Sequence, residues 1–350
     1  MPATGRNKER KKRHMKQSAY YGHESQLFGV EEYRLVGGKG DGMRLLNVRN
    51  GKGLEFTVSA DRCADITKLF FRGENYGFFS VNGYVAPAYY DDKGNGWEKS
   101  FTAGFLTTCG LLAVGSPCTD EGQALPLHGA IDNIPAERIS WDMDEEKIWI
   151  KATMRHAQIF AEKLLMTRTI TCSKTSNEIT VTDEIENIGD AASPVMLLYH
   201  MNMGYPLLCE QSELFIPAQE VLPRNDHAAE DIDTWYKILP PTPGFEEQCY
   251  YHEFKDHPGI AGIFNHAGGY GLAIRYDSSS LDCFTQWKKM GYKDYVMGME
   301  PGNSYPDGRD VMRRTGRLKF IEPGEKKTYG IRLSMLEGED AWQALKNEAK

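Results

Sequence analysis

The stretch Lys147-Ile-Trp-Ile-Lys-Ala-Thr-Met154 shows the alternation that decides the fold class of this chain. Its apolar residues Ile148, Ile150 and Ala152 occupy every second position, which is the period of a β-strand with one buried face. The same period recurs between Ile179 and Asn187. The centre of the chain therefore predicts half-buried strands.

Strand signals separated by turn residues extend over most of the remaining sequence, and regular helical periodicity is absent. The predicted strands span residues 45–50, 54–59, 139–142, 147–154, 164–173, 179–187, 260–265, 272–276, 281–287 and 295–303. A buried strand pair is predicted in 101–115 and a closing hairpin in 317–336, whereas the proline-rich segment 217–254 predicts surface excursions. This spacing is typical of an antiparallel all-β fold.

Composition indicates an ordinary globular protein, with 41% hydrophobic and 26% charged residues among 350. The net charge of −8 argues against a general binder of nucleic acid or membrane surfaces, and no apolar run is long enough to cross a bilayer. The seven cysteines are scattered without a Cys-x-x-Cys pair, which predicts free thiols in a reducing compartment. A cytoplasmic location is therefore expected.

The two ends of the chain are predicted to lie outside the main β domain, which spans residues 29–338. Residues 1–28 begin with a strongly basic segment that no hydrophobic signal-peptide region follows, and a solvated tail is expected there. Residues 339–350 predict a short helix, with Asp340 as a candidate N-cap.

A buried strand that ends in polar groups provides the first candidate site. In Met196-Leu-Leu-Tyr-His-Met-Asn-Met-Gly-Tyr-Pro206, an apolar run leads into His200 and Asn202. Strand alternation directs both side chains to one face, which favours a pocket. The alternative is a core histidine that is hydrogen-bonded to neighbouring backbone.

A second histidine, His128, precedes Gly129 and a loop that contains Asp132 and Asn133. Glycine permits close approach of a ligand or of backbone to the imidazole, while a solvent-exposed loop histidine is the alternative. Earlier in the chain, before the predicted strand pair 101–115, lies a segment rich in aromatic residues. Its rings could stack on a sugar or simply cover the sheet; they belong to Tyr84, Tyr89, Tyr90 and Trp97.

Two charged residues are further candidates for the same pocket. Arg62 lies between Asp61 and Asp65, so it either forms a surface ion pair or offers its planar donor fork to a substrate. Glu300 ends an apolar strand directly before Pro301. The local sequence does not decide between the two interpretations of Arg62.

Taken together, the sequence from about Gly29 to Leu336 resembles the aldose 1-epimerase (galactose mutarotase-like) superfamily, and within it the DUF4432 branch. The motifs that carry the resemblance are Asp61-Arg-Cys-Ala-Asp-Ile66, His128-Gly129 with Asn133-Ile-Pro-Ala136, Tyr199-His-Met-Asn202, Gln286-Trp287 and Met299-Glu-Pro-Gly-Asn303. Each motif alone is weak, but their order and wide spacing make the set specific.

The resemblance implies a large antiparallel β-sandwich of the galactose mutarotase-like (supersandwich) type, whose concave face binds a sugar. It implies His200 as general acid and Glu300 as general base, with His128 as an assisting hydrogen-bond donor. The predicted substrate-binding residues are Arg62, His128, Asp132, Asn202, Gln286, Trp287 and Asn303.

Two positions depart from the family pattern. Classical mutarotases carry an arginine in a His-Gly-x-x-Arg motif where this chain has Asp132, and a glycine is usual where this chain has Cys63. The first departure argues against a galactose-type or glucose-type substrate.

Mutarotation needs one group that deprotonates the anomeric hydroxyl and another that protonates the ring oxygen, so no metal or organic cofactor is expected. The expected partner is a small-molecule sugar, and a homodimer is retained as a candidate assembly. A sugar isomerase and a non-catalytic carbohydrate-binding protein are the alternatives. A metal site of two histidines and a glutamate stays open, although no short His-Glu-x-x-His spacing occurs.

Overall fold

The computed structural model describes residues 19–254 and 259–349. The basic residues of the predicted N-terminal tail lie outside these ranges. Within them the chain is built from antiparallel sheets, and no helix is both long and apolar enough to cross a membrane. The all-β prediction is confirmed.

The bounds of the strands and helices are as follows. The strands are β1 (Gly29–Arg34), β2 (Arg44–Arg49), β3 (Leu54–Ser59), β4 (Asp65–Phe71), β5 (Glu74–Asn75), β6 (Phe78–Phe79), β7 (Ala103–Gly104), β8 (Leu106–Leu111), β9 (Cys118–Asp120), β10 (Gln123–Leu125), β11 (Arg138–Met143), β12 (Lys147–Ala157), β13 (Lys163–Ser173), β14 (Glu178–Asn187), β15 (Ser193–Pro194), β16 (Met196–Met203), β17 (Ser212–Phe215), β18 (Glu220–Pro223), β19 (Gln248–Glu253), β20 (Gly259–Asn265), β21 (Tyr270–Tyr276), β22 (Cys283–Met290), β23 (Tyr295–Gly302), β24 (Phe320–Ile321) and β25 (Lys326–Glu337). The α-helices are α1 (Asp226–Glu230), α2 (Arg309–Arg314) and α3 (Glu339–Glu348). Short 3-10 helices span Glu24–Gln26, Gly38–Gly40, Pro87–Tyr89, Gly94–Lys99, Ile131–Asn133 and Ile232–Thr234.

Two large sheets and one smaller sheet organise these strands. The eight-stranded sheet has the order β11-β12-β13-β14-β25-β21-β20-β17, and the six-stranded sheet has the order β18-β19-β22-β23-β16-β8. Strands β1 to β5 form a third sheet in sequence order. The remaining short strands form the pairs β6-β7, β9-β10 and β15-β24.

The apolar residues that alternate along the central stretch lie on the inner face of the eight-stranded sheet. Ile150 on β12 pairs with Ile170 on β13, which in turn pairs with Val181 on β14. All three side chains are buried in the main hydrophobic core. Removing such apolar surface from water stabilises the fold by about 25 cal/mol per Å². Local periodicity predicted these strands because every second side chain along them is buried.

The same core receives one face of the six-stranded sheet, and this determines where a site can form. Tyr199, Met201 and Met203 of β16 pack into the core that the eight-stranded sheet also enters. Successive side chains of a strand point to opposite faces, so His200 and Asn202 project from the other face. The candidate site consequently lies on the side of β16 that faces away from the main core.

A buried ion-pair network joins the sheets beneath β16. The guanidinium of Arg168 on β13 makes two hydrogen bonds to Asp183 on β14, at 2.8 and 2.7 Å, and one of 2.5 Å to Asp65 on β4. Tyr199 donates a hydrogen bond of 2.8 Å to Asp183 from the core side of β16. Arg168 is fully buried, so its charge depends on these partners.

Two predicted features of the sheets are wrong. Segment 217–254, predicted as surface excursions, contributes β18 and β19 to the six-stranded sheet. The predicted closing hairpin does not form, because β25 is paired on both edges, with β14 and with β21, and β24 pairs with β15. Both errors concern pairing between distant segments, which local periodicity does not contain.

The predicted C-terminal helix is present as α3, but its predicted cap is wrong. Gly338 occupies the N-cap with φ of 77°, a conformation that favours glycine, and no side chain caps the helix there. Asp340 lies in the first helical turn. A carboxylate at that position still interacts favourably with the positive end of the helix dipole.

Candidate active site

A cavity of about 440 Å³ opens on the face of the six-stranded sheet that points away from the main core. This volume lies in the range of about 300–1,000 Å³ that is typical of small-molecule sites. Its floor is formed by residues of three adjacent strands, His200 on β16, Glu300 on β23, and Thr285 and Trp287 on β22. Strand alternation brings all four side chains to one face.

His200 and Glu300 meet across the β16–β23 pair. The register pairs Leu198 with Gly302 and Met201 with Met299, which places His200 opposite Glu300. The distance from His200 Nε2 to Glu300 Oε1 is 3.3 Å, and the two residues are 4% and 1% exposed. The contact is close but not aligned as a hydrogen bond, since Glu300 Oε1 has no hydrogen-bond partner among the described residues.

A glycine makes room for the Glu300 carboxyl group. A Cβ atom on Gly298, two residues earlier on the same face of β23, would lie 2.1 Å from Glu300 Oε1 and 2.9 Å from the Cβ of Trp287. Real Cβ atoms essentially never approach another heavy atom below 3.0 Å. The Glu300 carboxyl group can therefore occupy this position only because residue 298 is a glycine and has no side chain.

Burial shifts the acid–base behaviour of both groups toward their uncharged forms. Burial lowers the pKa of His200 to about 4, because water no longer stabilises the imidazolium. Burial, assisted by the nearby Glu247 carboxylate, raises the pKa of Glu300 well above its usual range. A carboxyl group and an imidazole with such perturbed pKa values in one cavity are typical of catalytic groups.

His128 enters the cavity from the loop after β10 and is held by backbone. Its Nδ1 accepts a hydrogen bond of 3.3 Å from the N–H of Gly115, which leaves the proton of the neutral ring on Nε2. Burial, followed by the charges of His200 and Arg224, lowers the pKa of His128 well below its usual range. The His128 ring is thus a neutral hydrogen-bond donor.

The glycine of the His128-Gly129 motif is explained by backbone packing. Gly129 has φ of 77°, and a Cβ there would lie 2.3 Å from the carbonyl oxygen of Gly110 on β8. Close approach to another backbone segment, rather than to a ligand, therefore requires glycine. Cys63 also adopts a positive φ, of 51°.

Aromatic rings form the walls around the histidine pair. Trp97 stacks on Phe101 with ring centroids 4.3 Å apart, and Phe101 meets the edge of the His200 ring at 5.5 Å. Trp287 approaches the His200 ring at 5.3 Å and lies 6.5 Å from Phe101, and its Nε1 donates to Glu247 at 2.8 Å. These contacts give the cavity flat apolar walls of defined orientation.

The structure pairs Arg62 with Asp132 away from the cavity lining. Arg62 Nη2 lies 2.7 Å from Asp132 Oδ2, and its other donors bind the carbonyl oxygens of Asp132, Val85 and Ser100. Asp132 Oδ1 accepts a hydrogen bond from Trp97 Nε1 at 3.1 Å. The buried pair therefore supports a cavity wall through Trp97, and Arg62 forms no surface ion pair with Asp61 or Asp65.

Three other predicted site residues do not line the cavity either. Gln286 follows Thr285 on β22 and so points to the opposite face, where it lies 3.1 Å from His252. Asn202 is fully buried beside His200 and donates to the His200 carbonyl oxygen. Asn303 binds the backbone of Val195 and Leu197 and thereby holds the start of β16.

Several cavity residues were not predicted from the sequence. They include Phe101, Arg224, Glu247, Thr285 and Lys289. Alternation along β22 could have identified Thr285, since it stands two residues before Trp287. Arg224 and Glu247 flank the segment between β18 and β19, and no local signal marks them.

The three residues considered as metal ligands do not form a ligand group. Throughout residues 19–254 and 259–349, no three His, Cys, Asp or Glu side chains are gathered as in a metal site. His128 also directs Nδ1 toward backbone, and only its Nε2 remains for another partner.

Solved structures with the same architecture come from several bacteria. A candidate aldose 1-epimerase from Klebsiella pneumoniae subsp. pneumoniae is 27% identical, with a TM-score of 0.87 over 93% of this chain and 89% of that chain. Galactose 1-epimerase from Lactobacillus acidophilus NCFM is 14% identical, with a TM-score of 0.62 over 89% of this chain and 99% of that chain. A galactose mutarotase-like protein from Clostridium acetobutylicum is 13% identical, with a TM-score of 0.64 over the same shares.

The likeness to the last two proteins concerns the fold alone, because their sequence identity is low. No match was found among curated proteins. The sequence profile of the family described as "Domain of unknown function (DUF4432)" matches residues 40–335, a range that includes His128, His200 and Glu300. The resemblance inferred from the sequence motifs is thereby confirmed. This chain belongs to the DUF4432 family and has a galactose mutarotase-like fold.

Proposed function

We propose that this protein is a sugar 1-epimerase that interconverts the anomers of a monosaccharide by acid–base opening of the ring. The observation that carries the proposal is the 3.3 Å separation of His200 Nε2 and Glu300 Oε1 in the cavity floor. The anomeric hydroxyl and the ring oxygen are bonded to the same carbon. One acid and one base that lie side by side can therefore serve both oxygens.

Before turnover the two groups are proposed to carry one proton in all. The pKa shifts favour the free pair with the proton on Glu300 and a lone pair on His200 Nε2. Glu300 then protonates the ring oxygen while His200 removes the proton of the anomeric hydroxyl, and the ring opens. After rotation about the C1–C2 bond, closure on the other face returns both protons. This direction is opposite to the roles that the family resemblance implies.

The remaining lining residues support binding of a sugar ring. His128 Nε2–H supplies a donor close to the acid–base pair, since the His128 and His200 ring centroids are 5.4 Å apart. The rings of Phe101 and Trp287 are partly exposed in the lining and offer apolar surface to the C–H bonds of the sugar. Donors and acceptors at the floor and aromatic walls suit a ligand with one apolar and one polar face.

The charges around the cavity favour a neutral sugar over an acidic or phosphorylated one. The two lining cations are already engaged: Arg224 binds Ser116 Oγ and the Pro306 carbonyl oxygen, and Lys289 binds the Phe245 carbonyl oxygen. Carboxylates of Glu98, Glu247 and Asp294 line the same cavity. These carboxylates outnumber the two cations of the lining, so an anionic substrate would meet a cavity of net negative charge.

The test is NMR exchange spectroscopy on a panel of neutral, acidic, phosphorylated and sulfonated aldoses and ketoses, with and without protein. Wild-type protein is expected to accelerate α/β interconversion of a neutral sugar. Glu300→Gln and His200→Ala should each slow this exchange by about 10²–10⁴-fold, since each removes one proton-transfer group. Glu137→Gln is the matched control, because Glu137 pairs with Arg155 on the exposed surface.

Each contrary outcome has a defined meaning. Wild-type rates in either site variant would show that the assigned role is wrong. Saturable sugar binding without faster exchange would instead favour a non-catalytic carbohydrate-binding protein. Conversion of an aldose into a ketose would favour the isomerase alternative on the same fold.

A further inference from the structure

The hydroxyl group of Thr285 is a buried polar group in the cavity floor that lacks a partner within the described chain. Thr285 is 1% exposed, lines the cavity, and its Oγ1 makes no hydrogen bond. A hydroxyl group offers one donor and two acceptor positions, and leaving it unsatisfied away from water is unfavourable. A ligand that occupies the cavity can satisfy it.

The other hydroxyl side chains that line the cavity are already engaged. Ser80 Oγ donates to the carbonyl oxygen of Phe101 at 2.6 Å, and Ser116 Oγ accepts from Arg224 at 2.8 Å. Thr107 does not line the cavity but pairs with His200 across β8 and β16, and its hydroxyl group is also engaged, since it donates to the carbonyl oxygen of Ala103 at 2.7 Å. Thr285 therefore differs from these hydroxyl groups in having its hydrogen-bonding capacity free for a ligand.

The strand register places Thr285 beside the acid–base pair. Thr285 on β22 is the cross-strand partner of Glu300 on β23, and Trp287 follows two residues later on the same face. Cβ atoms of directly opposed residues in antiparallel strands are about 4.5–5.5 Å apart. A sugar whose anomeric carbon is served by Glu300 can therefore place the hydroxyl group of a neighbouring carbon near Thr285.

We propose that Thr285 is a specificity-determining residue whose hydroxyl group binds the sugar hydroxyl adjacent to the reacting carbon. The inference rests on the proposed function for the identity of the reacting carbon. Thr285 selects sugars that carry a hydroxyl group at carbon 2 over 2-deoxy sugars. It takes no part in proton transfer, because a threonine hydroxyl does not ionise in the range where enzymes work.

The test compares wild type, Thr285→Val and Thr285→Ser in binding all neutral aldoses of the NMR panel and their 2-deoxy analogues. Binding is followed by tryptophan fluorescence, since Trp97 and Trp287 line the cavity. Valine keeps the shape but removes the hydroxyl group, so affinity for the 2-hydroxy sugar should fall about two- to tenfold. Affinity for the 2-deoxy analogue should not change, and Thr285→Ser should retain the preference of wild type.

The same proteins are also assayed for anomer exchange. This second assay separates the proposed epimerase function from the proposed role of Thr285. Equal losses for the 2-hydroxy and 2-deoxy sugars in Thr285→Val would overturn the inference and point to a hydrogen bond from Thr285 to Glu300. Selective loss without any exchange activity in wild type would contradict the proposed function and support the role of Thr285 in binding. No binding of any of these sugars would contradict both.

Discussion

Replacing Gly298 with alanine should displace the Glu300 carboxyl group without disturbing the fold. The added Cβ would lie 2.1 Å from Glu300 Oε1, whereas real Cβ contacts essentially never fall below 3.0 Å. The carboxyl oxygen must therefore move by about 0.9 Å, the difference between these two distances, or the strand must shift away from Trp287. Gly298 does not have a positive φ, so alanine introduces no backbone strain of its own.

The expected result is a loss of anomer exchange by up to about 10²-fold, because a misplacement near 1 Å in a reacting group has effects of this size. The rate is measured by NMR exchange spectroscopy on the sugar that the wild type accelerates. The secondary structure and melting temperature, followed by circular dichroism, should stay close to those of the wild type.

Gly291→Ala provides the matched control at the end of β22. A Cβ at Gly291 would have its nearest neighbours at 3.4 Å, which is ordinary van der Waals contact, and exchange should be unaffected. A Gly298→Ala rate within about threefold of wild type would refute the reasoning, because it would mean that the carboxyl position is not critical. Equal losses in both variants would point to a general effect on the sheet.

Two further predictions concern stability and pH. Arg168→Met leaves Asp65 and Asp183 buried without their cation, so the free energy of unfolding should fall by about 3–5 kcal/mol. For a chain of this length, that corresponds to a melting temperature lower by about 4–7 °C in calorimetry, and an unchanged value would contradict the structural role of the network. The exchange rate needs His200 as a free base, and its pKa is lowered to about 4, so activity should persist from neutral pH down to about pH 4 and fall below it. An acid limb near the ordinary histidine pKa, about 6.5, would contradict the proposed burial of His200 in the active form.

The sequence predicted the main residues that line the cavity better than the residues that hold them in place. His200, Glu300, His128 and Trp287 were all expected at the site, and all four line the cavity. Gln286 could have been excluded from the sequence alone, because it is adjacent to Trp287 on one strand and neighbouring side chains point to opposite faces.

Arg62 shows where local sequence reasoning stops. Its two acidic neighbours suggested a surface ion pair, but its partner in the structure is Asp132, 70 positions later. The pair is buried, so it depends on how distant loops pack. No pattern within a few residues of Arg62 contains that information.

What the sequence by itself determined is the set of strands and the face to which each side chain belongs. Predicted strands 147–154, 164–173 and 179–187 correspond to β12, β13 and β14, since the two-residue period is a property of the extended backbone itself. Only the tertiary structure decided that β16 and β23, whose residues His200 and Glu300 are 100 positions apart, lie side by side. That pairing depends on hydrogen-bond register and burial among distant segments. The same burial also sets the pKa values on which the proposed chemistry depends.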